Sequence, residues 1–304
     1  MNAYALVFGV FSLLLQFQLP YRRYVRYLKW LTVSLFAYVA TAFTVHVPWI
    51  TAIRSTVVPS VSWNVDYWMG LVAVLGTTIS PYLFFWQTSE EVEEVRINHG
   101  QSSLKRKPQQ AYKEFHRIAL DTRVGMGLSN LIAFFVIPTA AVTIHNSTSA
   151  GGIETAADAA KALEPLAGRF AFLLFALGIV GTGLLAIPVL AGSSAYAVSE
   201  AFRWRASLES KPHRAPKFYL VIGTATVLGL CLNFLGLNPI RALYWSAIIN
   251  GIVAVPLMIV LMIMSDNRKV VGQFSLTPYL RALGWIATGI MFFASLGFAL
   301  SAFH

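Results

Sequence analysis

From Leu75 to Tyr82 the chain reads Leu-Gly-Thr-Thr-Ile-Ser-Pro-Tyr, a stretch in which helix breakers and oxygen ligands crowd together inside an apolar run. Pro81 has no N–H, its ring collides with the carbonyl one turn back, and Gly76 lowers helix propensity. Together they are expected to free backbone carbonyls over the segment from Gly76 to Thr78. The hydroxyls of Thr77, Thr78 and Ser80 stand beside those carbonyls. Freed carbonyls plus hydroxyls at mid-membrane depth are what a discontinuous helix uses to hold a cation, because loose backbone is tolerated there only where it lines a cavity or packs on protein. The competing reading is a proline kink whose hydroxyls bond back to the preceding turn. Gly76, Thr77, Thr78 and Ser80 are therefore the candidate cation ligands, with Pro81 and Tyr82 lining the pathway.

Weaker versions of the pattern recur. Gly178, Gly181, Gly183, Pro188 and Gly192 make another apolar run smooth and breakable, although small residues also serve close helix packing. Asn250-Gly251 precedes Pro256, and Asn130 precedes Pro138. Asn130 and Asn250 are candidate pathway residues, against the alternative that each bonds a neighbouring helix. His46 could relay protons or simply pack near a membrane surface.

The elements that must carry these residues are membrane spans. Hydrophobic residues make up 57% of the 304 and charged residues 12%, against roughly 45–50% apolar and about 25% charged in a soluble chain. So few charges cannot cover a globular surface, which excludes a cytosolic enzyme, a disordered regulator and a secreted disulfide scaffold. The lone Cys231 permits no intramolecular disulfide. Eight apolar runs approach the length of about 20 residues that crosses a bilayer; they cover residues 3–19, 30–47, 68–87, 124–144, 170–198, 218–237, 242–264 and 282–303. They are continuous rather than alternating, so helices are expected and not barrel strands.

Nineteen of the 23 Lys and Arg residues fall in the loops after the first, third, fifth and seventh runs. That bias places those loops in the cytoplasm and both termini outside. The net charge of +10 is thus explained by topology, and no nucleic-acid or soluble partner is implied. Trp30, Trp49, Trp63, Trp68, Trp204 and Trp285 lie near span ends and read as interfacial anchors. Thr88-Ser-Glu-Glu91 reads as a capping box opening a short amphipathic helix, and Asn146-Ser-Thr148 matches a glycosylation sequon. No His-Glu-x-x-His, Gly-x-Ser-x-Gly or Walker lysine loop occurs, and the span interiors offer no acid–base pair, so no enzyme and no cofactor is expected.

Gly76 to Gln87, followed by the acidic Ser89-Glu-Glu-Val-Glu-Glu94, resembles the sixth helix of the natural resistance-associated macrophage protein (NRAMP) family of divalent-metal transporters. Asp121-Thr122 with Asn130 is similar to that family's seventh helix, and Phe175 to Gly183 through Ala191 to Ser194 to its eighth. The resemblance sets the eight runs on helices four to eleven of an eleven-helix protein. It implies a partial LeuT-type inverted-repeat fold and cation uptake linked to protons or to membrane potential. In the family the sixth helix supplies an alanine carbonyl, a methionine sulfur, a proline and a histidine. The matching positions here are Thr77, Ser80, Pro81 and Tyr82, so only the proline is retained. Loss of the thioether favours a hard, oxygen-bound ion such as magnesium over manganese or iron, and loss of the histidine removes the family's usual proton route.

The family's first-helix Asp-Pro-Gly-Asn motif has no counterpart, for no Asp-Pro pair occurs in the sequence. The resemblance therefore leads us to expect a chain read from a late start, or a degenerate fragment, that transports weakly or not at all by itself. The resulting expectation is an all-α, multi-pass secondary transporter of divalent cations, Mg2+ or Mn2+, in a bacterial plasma membrane, with the lipid bilayer and the cation as its partners. An organic-solute permease of the same superfamily and a non-transporting scaffold subunit are the rival readings.

Overall fold

Among the described residues of the computed structural model, namely 2–18, 30, 33, 36–44, 47–99, 108–142, 156–208, 210 and 212–302, regular structure is helical throughout. The helices are α1 (Asn2–Gln18), α2 (Phe36–Thr44), α3 (Trp49–Val57), α4 (Val65–Thr78), α5 (Pro81–His99), α6 (Pro108–Ala140), α7 (Ala156–Ala201), α8 (Pro216–Phe234), α9 (Pro239–Asp266), α10 (Arg268–Val271) and α11 (Pro278–Ser301). Five of them begin on a proline. That residue suits a first turn because its missing N–H has no intrahelical partner there anyway. Caps complete the starts. Asn64 accepts the Tyr67 N–H at 2.7 Å, Asn238 accepts the Ile240 N–H at 2.9 Å, and Thr277 accepts the Leu280 N–H at 3.4 Å.

The exposed surface is unlike that of a water-soluble protein, and small hydroxyl residues are buried beside an apolar core that includes Phe218, Ile222 and Ile248. Leu220, Leu243 and Phe293 are 66–68% exposed, whereas Ser80, Thr139, Ser193 and Ser199 are at most 2% exposed. Large apolar groups outside and small hydroxyl residues inside suit a lipid solvent, in which helices associate by close packing rather than by the hydrophobic effect. Five stretches among the described residues are long and apolar enough to cross a membrane: Val65–Arg96, Gln109–Ala140, Gly178–Ala201, Pro239–Asp266 and Pro278–Ser301. Pro216–Leu232 is apolar but shorter, and α1 has 17 residues.

Several boundaries depart from the apolar runs. The helix carrying the fourth run starts at Pro108, well before residue 124, because Gln109 to Arg123 are good helix formers that extend the rod past its apolar part. The fifth run is likewise continuous with the helical stretch before it, giving 46 residues in α7. Thr88 caps nothing. The helix has already restarted at Pro81, and the Thr88 hydroxyl donates back to the Phe84 and Phe85 carbonyls. The second run lies partly outside the described residues. So do His46, the sequon at Asn146, and the basic residues Arg22, Arg23, Arg26, Lys29 and 105–107.

The chain forms two compact units, each assembled from two stretches: Met1–Pro59 with Gly125–Arg241, and Ser60–Val124 with Ala242–His304. In the first, α8 packs along α7, α1 lies against both, and α2 lies against α7. Gly9 lets α1 approach α8, since a Cβ there would fall 2.5 Å from the Leu230 side chain. In the second unit α4, α9 and α11 share a core of Val72, Ala73, Ala247, Ile248 and Ala294. Next to it Ala254, Val255 and Met291 pack with Leu75 and Ile79. Gly297 accommodates the indole of Trp68, whose ring would lie 2.5 Å from an added Cβ. This second core is the frame that holds the Gly76–Tyr82 segment.

Candidate functional site

The rod that begins at Asn64 is interrupted where the sequence places its breakers. Helix α4 ends at Thr78, Ile79 adopts φ −110° and ψ 73°, and α5 starts at Pro81. The Ile79 N–H still reaches the Leu75 carbonyl at 2.8 Å, and the Leu83 N–H donates to the Ser80 carbonyl at 3.0 Å. Pro81 has no N–H to give the Thr77 carbonyl, and its ring excludes that carbonyl from the helical position. The Ser80 side chain takes over. Its hydroxyl donates to the Gly76 carbonyl at 2.6 Å and lies 3.1 Å from the Thr77 carbonyl. One proton thus serves two acceptors, and Ser80 is only 1% exposed.

The other two hydroxyls point the same way along the chain. Thr77 and Thr78 both donate to the Val74 carbonyl, at 2.7 and 3.1 Å. The segment therefore combines a true interruption of the backbone with hydroxyl back-bonding. The Thr77 carbonyl, released by the proline, and the Gly76 carbonyl before it are held by a side chain that can rotate. Around them, among the described residues, no three His, Cys, Asp or Glu side chains gather into a metal-binding group. The oxygens at the break itself, carbonyls and hydroxyls, are neutral.

Helix α9 closes one side of the segment. A Cβ on Gly76 would overlap the Ala247 carbonyl and come 2.5 Å from the Gly251 nitrogen, while a Cβ on Gly251 would lie 2.7 Å from the Val72 carbonyl. Two glycines thus set a backbone-to-backbone crossing of α4 and α9 next to the break. Asn250, adjacent to Gly251, is half-buried, and its side chain makes no hydrogen bond among the described residues. Pro81 is buried and Tyr82 half-buried. Of the sequence candidates, Gly76, Thr77, Thr78, Ser80, Pro81 and Tyr82 are contiguous at the break, and Asn250 sits beside the glycine crossing. Asn130 is exposed on α6, in the part of that helix belonging to the first unit.

An ionic hub follows the break; in the sequence its arginine counted only toward topology, and Glu91 toward a capping box. Arg117 on α6 pairs with Glu91 at 2.7 Å and Glu94 at 3.3 Å on α5, and with Glu114 on its own helix at 2.9 Å. Gln87 donates to the Thr122 hydroxyl at 2.8 Å. These bonds tie α5 to the first turns of α6. The spacing of Glu91 and Glu94, and of Glu114 and Arg117, marks common helix faces. Nothing in the spacing alone says that the two faces meet.

The chain also matches known proteins. Residues 1–301 match the family described as natural resistance-associated macrophage protein-like (Nramp). The chain belongs to the Nramp family. Its relatives include the divalent metal cation transporter MntH of Caldanaerobacter subterraneus, 25% identical over 252 residues, covering 82% of this chain and 54% of that protein. MntH of Klebsiella pneumoniae is 23% identical over 220 residues, covering 72% of this chain and 47% of the relative. MntH of Deinococcus radiodurans is 25% identical over 225 residues, covering 72% and 46%. This Nramp chain spans about half the length of the curated relatives it matches.

Proposed function

We propose that this Nramp chain supplies the oxygen-lined, broken-helix part of a pathway for divalent metal cations in a secondary transporter. One observation carries the reading: a membrane-length stretch, Val65–Arg96, is interrupted at Ile79–Ser80, and its freed carbonyls are held by one rotatable hydroxyl. Rotation of Ser80 about χ1 would release the Gly76 and Thr77 carbonyls toward an ion. The Ser80 and Thr77 hydroxyl oxygens could then join them. Four neutral oxygens suit a hard or partly hydrated ion, and Mg2+ fits that set better than soft transition metals do. Mn2+, intermediate in character, serves as the practical probe.

The fuller architecture belongs to the same proposal. It has eight membrane spans in a partial LeuT-type inverted repeat, odd-numbered loops in the cytoplasm, both termini outside and a bacterial plasma membrane as host. Any coupling to protons would run by another route, since Tyr82 stands where the resembling helices carry histidine. An oxygen set without a carboxylate binds a divalent ion weakly, so affinity is expected on the order of millimolar.

The test is Mn2+ binding to the chain in nanodiscs, followed by loss of the free-ion electron paramagnetic resonance signal. Replacing Thr77 and Ser80 together with alanine should weaken binding at least about tenfold, the equivalent of one lost charge–dipole contact. Thr288→Ala, which removes a buried hydroxyl bonded to the Gly284 carbonyl on α11, should leave binding unchanged. Equal binding by all three proteins would contradict the proposal.

A further inference from the structure

Away from the break, the first unit carries a groove with a basic rim. A cavity of about 590 Å³ runs along α8, lined almost entirely by apolar atoms. Pro216, Leu220, Thr224 and Leu228 line it at four-residue spacing, with Gly223 between them and Pro212 at the mouth. Residues four apart stack on one helix face, so this is a lengthwise trough. Twelve residues at 1.5 Å rise give about 18 Å, close to the roughly 15 Å depth of one hydrocarbon leaflet.

Charge gathers at one end only. The turn that carries Pro212 also carries exposed His213 and Arg214, and Lys217 follows Pro216. The Lys217 ammonium lies 4.9 Å from the ring centroid of Trp204, which stacks on Phe202 at 5.1 Å. Exposed Arg203 and Arg205 flank Trp204. Among the described residues none of these three arginines pairs with a carboxylate. Two buried tyrosines fix the loop. The Leu208 N–H donates to the Tyr196 hydroxyl at 3.3 Å, and the Tyr219 hydroxyl donates to the Ser210 carbonyl at 2.9 Å. Cations without a carboxylate partner among the described residues, set beside a tryptophan above an apolar trough one leaflet deep, match the polarity of a phospholipid.

We propose that this face seats an anionic phospholipid, its phosphate on Arg214 and Lys217 and one acyl chain in the trough over Gly223. Each basic residue near a headgroup contributes roughly fivefold in affinity, so the pair selects an anionic over a zwitterionic lipid by about twenty-fivefold. The trough itself is indifferent to headgroup and sets how much lipid stays bound. Seating depends on no metal, and its failure would leave the reading of the Ser80 break untouched.

The experiment uses the full chain in nanodiscs of equimolar dioleoyl phosphatidylglycerol and dioleoyl phosphatidylcholine, released for native mass spectrometry. The wild type should retain phosphatidylglycerol in preference. Arg214→Gln with Lys217→Gln, both exposed and safe for folding, should bring the two lipids near parity. Gly223→Leu should lower total retained lipid while the protein stays monodisperse. Arg268→Gln with Lys269→Gln, basic residues of α10, should change neither. The proposal is overturned by equal retention in the wild type, by a preference that survives R214Q/K217Q, or by unchanged retention in G223L. Displacement of the lipid by millimolar inorganic phosphate would also overturn it, revealing a free-anion site. So would a lipid-free dimer, which would assign the trough to a second copy.

Discussion

Two prolines share one helical core and have opposite effects. Pro256 lies inside α9, which runs unbroken from Pro239 to Asp266, whereas Pro81 ends one helix and begins the next. Both remove an N–H and crowd the carbonyl one turn back. The difference lies in what precedes them. Before Pro256 come Ile252, Val253, Ala254 and Val255, which offer no hydrogen-bond donor beyond the backbone; Ala254 and Val255 are buried in the core. Before Pro81 comes Ser80, whose hydroxyl reaches both the Gly76 and Thr77 carbonyls. A proline alone thus leaves a continuous rod. A proline with a donor that can satisfy the stranded carbonyls permits an open joint, and that joint is where exchangeable oxygen ligands can be kept in an apolar medium.

The largest effect should come from the crossing that backs the joint. Gly76→Val would force a side chain into the Ala247 carbonyl and the Gly251 backbone, with a loss of about 3 kcal/mol from overpacking. Thermal unfolding followed by tryptophan fluorescence should show a lower midpoint and poor recovery. Pro81→Ala comes next and addresses the contrast itself. It returns an N–H to the Thr77 carbonyl, so α4 and α5 should fuse, amide exchange across residues 79–83 should slow about tenfold, and Mn2+ binding should be lost. An open joint persisting with alanine would show that the proline is not what breaks the rod. Pro256→Ala should do least. Stability should change by no more than about 1 kcal/mol, with Mn2+ binding unaltered.

The joint was legible because its determinants are local: Gly76, Ser80 and Pro81 lie within six residues, and sterics and hydrogen-bond counting need no partner helix. The proline starts and the asparagine and threonine caps are equally local, although hydropathy alone did not mark them. What escaped the sequence involves distance along the chain. The Gly251 contact with Val72 and Gly76 could not be inferred from Asn250-Gly251 alone. Arg117 meets Glu91 and Glu94 more than twenty residues away, a pairing that needs the α5–α6 turn to be known. Hydropathy also misjudged where helices begin. Gln109 to Arg123 are polar yet strongly helix-forming, so the rod outlasts its apolar segment. Thr88 carried a capping pattern that lost its meaning once Pro81 had already begun the helix.

The most direct measurement observes the Thr77 carbonyl itself. Thr77-Thr78 is the only Thr-Thr pair in the sequence. Protein labelled with carbonyl-13C and 15N threonine therefore yields a single filtered solid-state magnetic resonance line for that carbonyl. Millimolar Mn2+ should broaden this line beyond detection, and Mg2+ should shift it as the Ser80 hydroxyl gives way to the ion. A line unmoved by Mg2+ and unbroadened by saturating Mn2+ would contradict the claim that these oxygens receive the cation.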